Sequence, residues 1–231
     1  MKKTKIVEAF QKSIVRLHRQ ARKYHLRKTK NKNANIKYGR SPSLANYFEE
    51  EFVNKLSKIY KNHRFFIDYP FRLYDKQGTS LCSQNIYPDI IVTDMENTLK
   101  AIIELKTDIG HLDIKKLTKS KRENILLKAV YGEVNNVVGR YSDQKYKIEK
   151  IRIKFPKKYK KILIVITLVN QHSYGGNPKS EEYKRILKKL GYNPLFLLKN
   201  IHYNYYDDKT NEIKEEINSN KKEIVRAFKG L

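Results

Sequence analysis

The stretch between Tyr87 and Lys106 constrains this chain more than any other, because it sets charged side chains inside two runs that are otherwise apolar. Asp89 stands against Ile90-Ile91-Val92, and Glu104 and Lys106 interrupt and end Ile102-Ile103-Glu104-Leu105-Lys106. Successive residues of a strand point to opposite faces, so Ile102, Glu104 and Lys106 share one face while Ile103 and Leu105 take the other. Asp94, Glu96, Asn97 and Thr98 between the runs are turn-formers. They predict a β-hairpin, and pairing of its strands brings Asp89 to Glu104. Two carboxylates with an ammonium two residues beyond the second suit a hard divalent cation beside an activated water. The competing reading is a surface hairpin in which Asp89, Glu104 and Lys106 form a solvated salt bridge of little energetic weight. The flanking residues are too apolar for an exposed strand.

A chain of 231 residues is long enough for one sizeable core, and nothing in it demands a second domain. Lys and Arg number 50 against 24 Asp and Glu, a formal charge of +26. Such a field attracts polyanions, nucleic acid first among them. An A/T-biased coding sequence would raise Lys, but it would raise Glu as well and so does not explain the imbalance. A membrane surface is disfavoured, since no long amphipathic stretch carries an aromatic belt. Cys82 is the only cysteine, which leaves no intrachain disulfide and no thiolate zinc site, and the six scattered histidines argue against a histidine-built one. The N-terminus reads as free of a signal peptide, and no run approaches about 18 apolar residues. The expected location is cytoplasmic.

Along the chain, Ile6, Phe10, Ile14, Leu17, Ala21 and Tyr24 recur at spacings of three and four and predict an amphipathic helix over 5–25 with a basic outer surface. Residues 27–40 read as a polar, basic connector. A second helix is predicted over 43–60, capped by Ser41 or Ser43 and burying Leu44, Phe48, Phe52, Leu56 and Ile59. Of its three consecutive acids, Glu49 alone shares the edge of the apolar face, given about 100° per residue. Glu50 and Glu51 point elsewhere. Residues 63–75 read as a first strand with Pro70 at an edge or bulge. From Asp113 to about Val138 the pattern is helical, with Lys115, Lys119 and Arg122 on one stripe and Leu117, Leu127, Tyr131 and Val134 inward. Residues 139–159 resist assignment. The run 161–169 is the most apolar in the chain and predicts a buried, parallel central strand. The loop after it carries His172, read as a loop histidine rather than a base. A helix over 180–190 ended by Gly191, an aromatic strand over 193–205 and a charged helix over 211–228 complete the chain. This order predicts an α/β fold: a mixed sheet flanked by helices on both faces.

Pro88-Asp89, a gap of 14 residues and then Glu104-Leu105-Lys106 resemble the signature of the PD-(D/E)XK nuclease superfamily. The resemblance covers the central hairpin and its flanking elements. It implies a restriction-endonuclease-like fold spanning 1–231 as a single nuclease domain, with a basic N-terminal helix and connector (1–40), a core (41–205) and a C-terminal helix (206–231). It also implies Mg²⁺ held by Asp89, Glu104 and the carbonyl of Leu105, with Lys106 beside the attacking water and products bearing 5′-phosphates. In such a fold an acid on the preceding helix often reaches the metal, and Glu49 is the candidate. An ammonium flanked by two carboxylates favours an electrostatic role for Lys106 over that of a free general base. Lys115, Lys119 and Arg122 are expected to contact DNA phosphates. Asp108 lies on the Glu104 face by alternation and is read as a loop acid. The expected activity is that of a type II restriction endonuclease, a homodimer cutting duplex DNA at a short site. The alternatives are a structure-specific or repair nuclease of the same fold, such as a junction resolvase, and a non-catalytic nucleic-acid-binding protein. A ribosome-associated RNA-binding protein would suit the charge and the 17 Tyr, but no RNP-like, KH-like or zinc-knuckle pattern supports it.

Overall fold

Among the described residues the chain runs through two helices, seven strands, a helix, an eighth strand and two closing helices. The computed structural model describes residues 2–30, 44–83, 85–108, 125–126, 128–139, 146–168, 180–203 and 207–231. The elements are α1 (Lys2–Lys30), α2 (Leu44–Ile59), β1 (His63–Ile67), β2 (Phe71–Tyr74), β3 (Ile90–Asp94), β4 (Leu99–Asp108), β5 (Tyr131–Gly139), β6 (Tyr146–Lys154), β7 (Lys160–Thr167), α3 (Ser180–Lys189), β8 (Tyr192–Leu198), α4 (Thr210–Ser219) and α5 (Lys221–Phe228). A five-stranded sheet has the order β1-β3-β4-β7-β8, and β2, β5 and β6 form a second sheet of three strands. The large sheet is mixed. β1, β3 and β4 pair antiparallel, whereas β4, β7 and β8 pair parallel.

The central hairpin forms as its sequence predicts. Ile90 pairs with Ile103 and Val92 with Ala101. The Asp94 side chain accepts from the N–H groups of Glu96 and Thr98 at the turn, and Asn97 adopts a left-handed φ of 60°. β7 is the apolar centre, buried from Lys161 to Thr167. Gly191, with φ +79°, closes α3 in the conformation that only glycine takes at little cost.

Alternation divides the core in two. Ala101, Ile103 and Leu105 of β4 join Ile90, Val92, Ile162, Ile164 and Ile166 in a layer covered by α1, α2, α4 and α5. Phe10, Phe48, Phe52 and Phe228 mesh there, Phe10 and Phe52 with centroids 4.5 Å apart. Each such ring contributes about 2–3 kcal/mol by leaving water. His18 of α1 is fully buried beneath the last helices, its Nδ1 2.7 Å from the Tyr203 carbonyl and its Nε2 accepting from the Lys209 N–H. The opposite face carries Ile91 and Ile102, packed with Phe71, Leu73, Val134 and Ile153 of the small sheet, and Leu163 and Val165, packed with Leu187 of α3. Among the described residues, helices therefore cover one face, and the small sheet, α3 and the helical residues around Leu126 pack on the other. No helix among the described residues is long and apolar enough to cross a membrane.

Several expectations change. Residues 63–75 are two strands in different sheets, broken at Asp68-Tyr69-Pro70. The helix expected to reach Val138 gives way to β5 from Tyr131, paired along its whole length with β6 in the stretch that resisted assignment. The C-terminal helix is two helices divided at Asn220, whose side-chain amide donates to the Leu197 carbonyl of edge strand β8. Gly132 lets the small sheet close. A Cβ there would lie 2.1 Å from the Phe71 ring, which is fully buried and stacked on Phe155. Gly132→Ala is expected to destabilise the fold by about 1–3 kcal/mol, read as a lower urea midpoint at unchanged slope. An unchanged midpoint would mean that Phe71 is not held in place.

Candidate active site

The hairpin ladder stops at Ile90 and Ile103, and the next residues outward on each strand are Asp89 and Glu104. Continuing that register sets Pro88 across from Leu105. Proline has no N–H to offer the strand opposite. The Asp89 carboxylate takes over part of the ladder, its Oδ2 accepting from the Leu105 N–H at 2.5 Å. The Lys106 ammonium lies 4.0 Å from the same oxygen. Glu104 projects from the Ile102 face and is only 6% exposed, whereas Lys106 is partly open to solvent. Asp89, Glu104, Lys106 and the Leu105 backbone are thus held together at one end of the strands.

Two further carboxylates converge on them. On α2, Glu50 is exposed and Glu51 is paired with Arg16 and Lys55, while Glu49 is 6% exposed and its Oε2 has no hydrogen-bond partner. Burial pushes the Glu49 carboxyl up from its ordinary range to about 7. Asp89, Asp68 and Glu104 add to the rise and Lys106 opposes it. The fourth carboxylate, Asp68, escaped the reading of the sequence. It ends β1, gives its N–H to the Asp89 carbonyl at 3.1 Å and holds a left-handed φ of 52°. Non-glycine residues adopt that conformation rarely, Asp and Asn most readily. The available signal was an acid in the aromatic run Phe65-Phe66-Ile67-Asp68-Tyr69, the same anomaly that marks Asp89. Asp68→Asn keeps the turn and removes a charge. It is expected to lower the Glu49 pKa, measured by carbon NMR titration of its carboxyl. An unmoved titration would separate Asp68 from the cluster.

This chemistry fits a hard cation. Oxygen donors from Asp89 and Glu104 are at hand, a buried carboxylate oxygen of Glu49 lacks a partner, and burial, with neighbouring like charges adding to it, raises the Glu49 carboxyl to about 7. Among the described residues no three His, Cys, Asp or Glu side chains enclose a metal by themselves. Water and a backbone carbonyl would complete the shell, as is usual for Mg²⁺. Lys115, Lys119, Arg122 and His172 lie outside the described residues, as does the Asp108 side chain. Comparison with protein-family models, with curated proteins and with solved structures finds no match for this chain.

Proposed function

We propose that the chain is a Mg²⁺-dependent deoxyribonuclease of the PD-(D/E)XK type, acting as a type II restriction endonuclease on duplex DNA. The observation that carries this reading is that Asp89, Asp68 and Glu104 crowd the buried Glu49 carboxyl, with Lys106 4.0 Å from Asp89, in a protein of net charge +26. Pure phosphate binding has no use for buried carboxylates that repel DNA. Asp89 and Glu104 would hold the cation with the Leu105 carbonyl, and Glu49 would supply a further oxygen. When bound, the cation lowers the pKa of water and offsets charge on the phosphoryl oxygens. Lys106 places a positive charge where the attacked phosphate becomes more negative. The Leu105 N–H fixes the rotamer of Asp89, so that carboxylate is set before substrate arrives. Burial on the Ile102 face limits the water that reaches Glu104.

The reading is tested by incubating the purified protein with methylation-free plasmid and phage DNA in Mg²⁺ or in EDTA. Discrete Mg²⁺-dependent fragments are the expected result, and a homodimer is the expected assembly in solution. Preferential cutting of branched substrates moves the function to a junction resolvase with the same residues. DNA binding without cleavage under every condition overturns the enzyme reading.

A further inference from the structure

The small sheet buries one face on the large one, and among the described residues its other face is the more open to solvent. On that outer face Arg72, Glu133 and Arg152 stand in one cross-strand row, and Tyr74, Tyr131 and Lys154 stand in the next. Lys150 continues the series along β6. Arg72, Lys150, Arg152 and Lys154 are all exposed. Among the described residues the face carries these cations against one carboxylate, Glu133, which already accepts from the Tyr74 hydroxyl at 3.2 Å. Tyr131 lies between the Tyr74 ring, stacked at 4.9 Å, and the Arg152 guanidinium, 3.6 Å from its centroid. That stacking holds Arg152 in place before any ligand arrives. Lys150, Arg152 and Lys154 alternate along β6, so they repeat at roughly 7 Å on one face.

The backbone shows where this row leads. The Lys154 N–H donates to the Asn97 carbonyl, which ties one end of β6 to the turn of the central hairpin. β2, on the far side of β5, runs from Tyr74 back to Phe71, which exchanges backbone hydrogen bonds with Ile86, three residues before Asp89. β5 and β6 continue as a paired ribbon beyond Val134 and Ile151, past that end. The cationic row therefore starts at the far end of the hairpin and heads toward the end that bears the carboxylates.

We propose that the outer face of the β2-β5-β6 sheet is a nucleic-acid-binding surface on which Lys150, Arg152, Lys154 and Arg72 grip the phosphates of duplex DNA and lead it to the carboxylate cluster. Charge complementarity selects a polyanion. The engaged faces of Tyr131 offer no platform for unpaired bases, which selects duplex over single strand. A two-stranded ribbon is also of a size that the major groove admits. The inference rests on the nuclease reading for its substrate, and measuring binding in EDTA lets the two fail separately.

The test is fluorescence anisotropy of a labelled duplex oligonucleotide across a salt series in EDTA. It compares wild type, the Lys150→Ala/Lys154→Ala double variant, Arg152→Ala and a control pair, Lys221→Ala/Lys222→Ala, exposed on α5. The double variant is expected to lose roughly 1.8 from the slope of log K against log salt and about tenfold or more in affinity, with the control pair within about twofold of wild type. Arg152→Ala should lose affinity in the same direction. Wild-type slope and affinity in the double variant, equal losses in the control pair, no duplex binding by wild type, or a preference for single strands would each overturn the surface. Binding that depends on Lys150 and Lys154, with no cleavage in Mg²⁺, leaves the surface standing and removes the nuclease.

Discussion

Asp89→Asn and Lys106→Ala are each expected to lower Mg²⁺-dependent cleavage by about 10³-fold or more while leaving the fold and DNA binding in EDTA intact. The two substitutions remove different things. Asn retains an oxygen to accept from the Leu105 N–H, so the hairpin end keeps its hydrogen bond and loses only the charge that would hold a cation. Ala at position 106 deletes an ammonium 4.0 Å from Asp89 and partly open to solvent, so the core is not disturbed. The discriminating readout is Mg²⁺ dependence. Raising Mg²⁺ should partly restore Asp89→Asn, whose defect is affinity for the ion. It should not restore Lys106→Ala, whose defect is missing charge at the phosphate. Wild-type cleavage by either variant would remove the assigned site even if the protein proved to be a nuclease.

The hairpin was legible because each of its signals is local. Alternation set the faces of β3 and β4, and Asp94, Asn97 and Thr98 supplied a turn between them. Glu49 was legible for a similar reason, since the angle between Glu49 and Phe52 on a helix is fixed by geometry. Asp68 was not. A strand read through Pro70 hides the residue at which the chain leaves one sheet for another, and a left-handed φ at Asp leaves no mark in the pattern. The sequence of β5 also fits a helix, because Leu127, Tyr131 and Val134 stand at spacings of four and three. What decides between helix and strand is β6, which pairs with every residue of β5 and whose own signal is the short alternation Lys150-Ile151-Arg152-Ile153-Lys154. Gly132, which would weaken either element, was the overlooked hint. The division of the last helix at Asn220 depends on the Leu197 carbonyl, distant in sequence, and a local pattern cannot express that.

Glu49→Gln is expected to make the metal-free protein more stable at pH 8 and less responsive to Mg²⁺. Glu49 titrates near 7 in the folded chain against an ordinary value of 4.5, so the folded state holds this proton more tightly than the unfolded state does. The stabilising contribution of the protonated form is complete below 4.5 and is lost as pH rises through about 7. Above that, the folded protein carries a buried carboxylate facing Asp89, Asp68 and Glu104, opposed only in part by Lys106. A shift of this size corresponds to about 3 kcal/mol at most, and water reaching the exposed side of the cluster reduces it to about 2. Gln resembles the protonated acid and carries no charge at any pH. The variant should therefore match wild type near pH 4.5 and exceed it at pH 8 by roughly 4–8 °C in Tm, measured by calorimetry in EDTA. Adding Mg²⁺ at pH 8 should raise the Tm of wild type more than that of the variant, because a cation among the carboxylates stabilises the folded state according to its affinity, and the variant offers one charge fewer. Parallel pH profiles for the two proteins would mean that neither burial nor its neighbours disfavour the Glu49 carboxylate. An equal response to Mg²⁺ would leave the strain in place but take Glu49 out of the set that holds the ion.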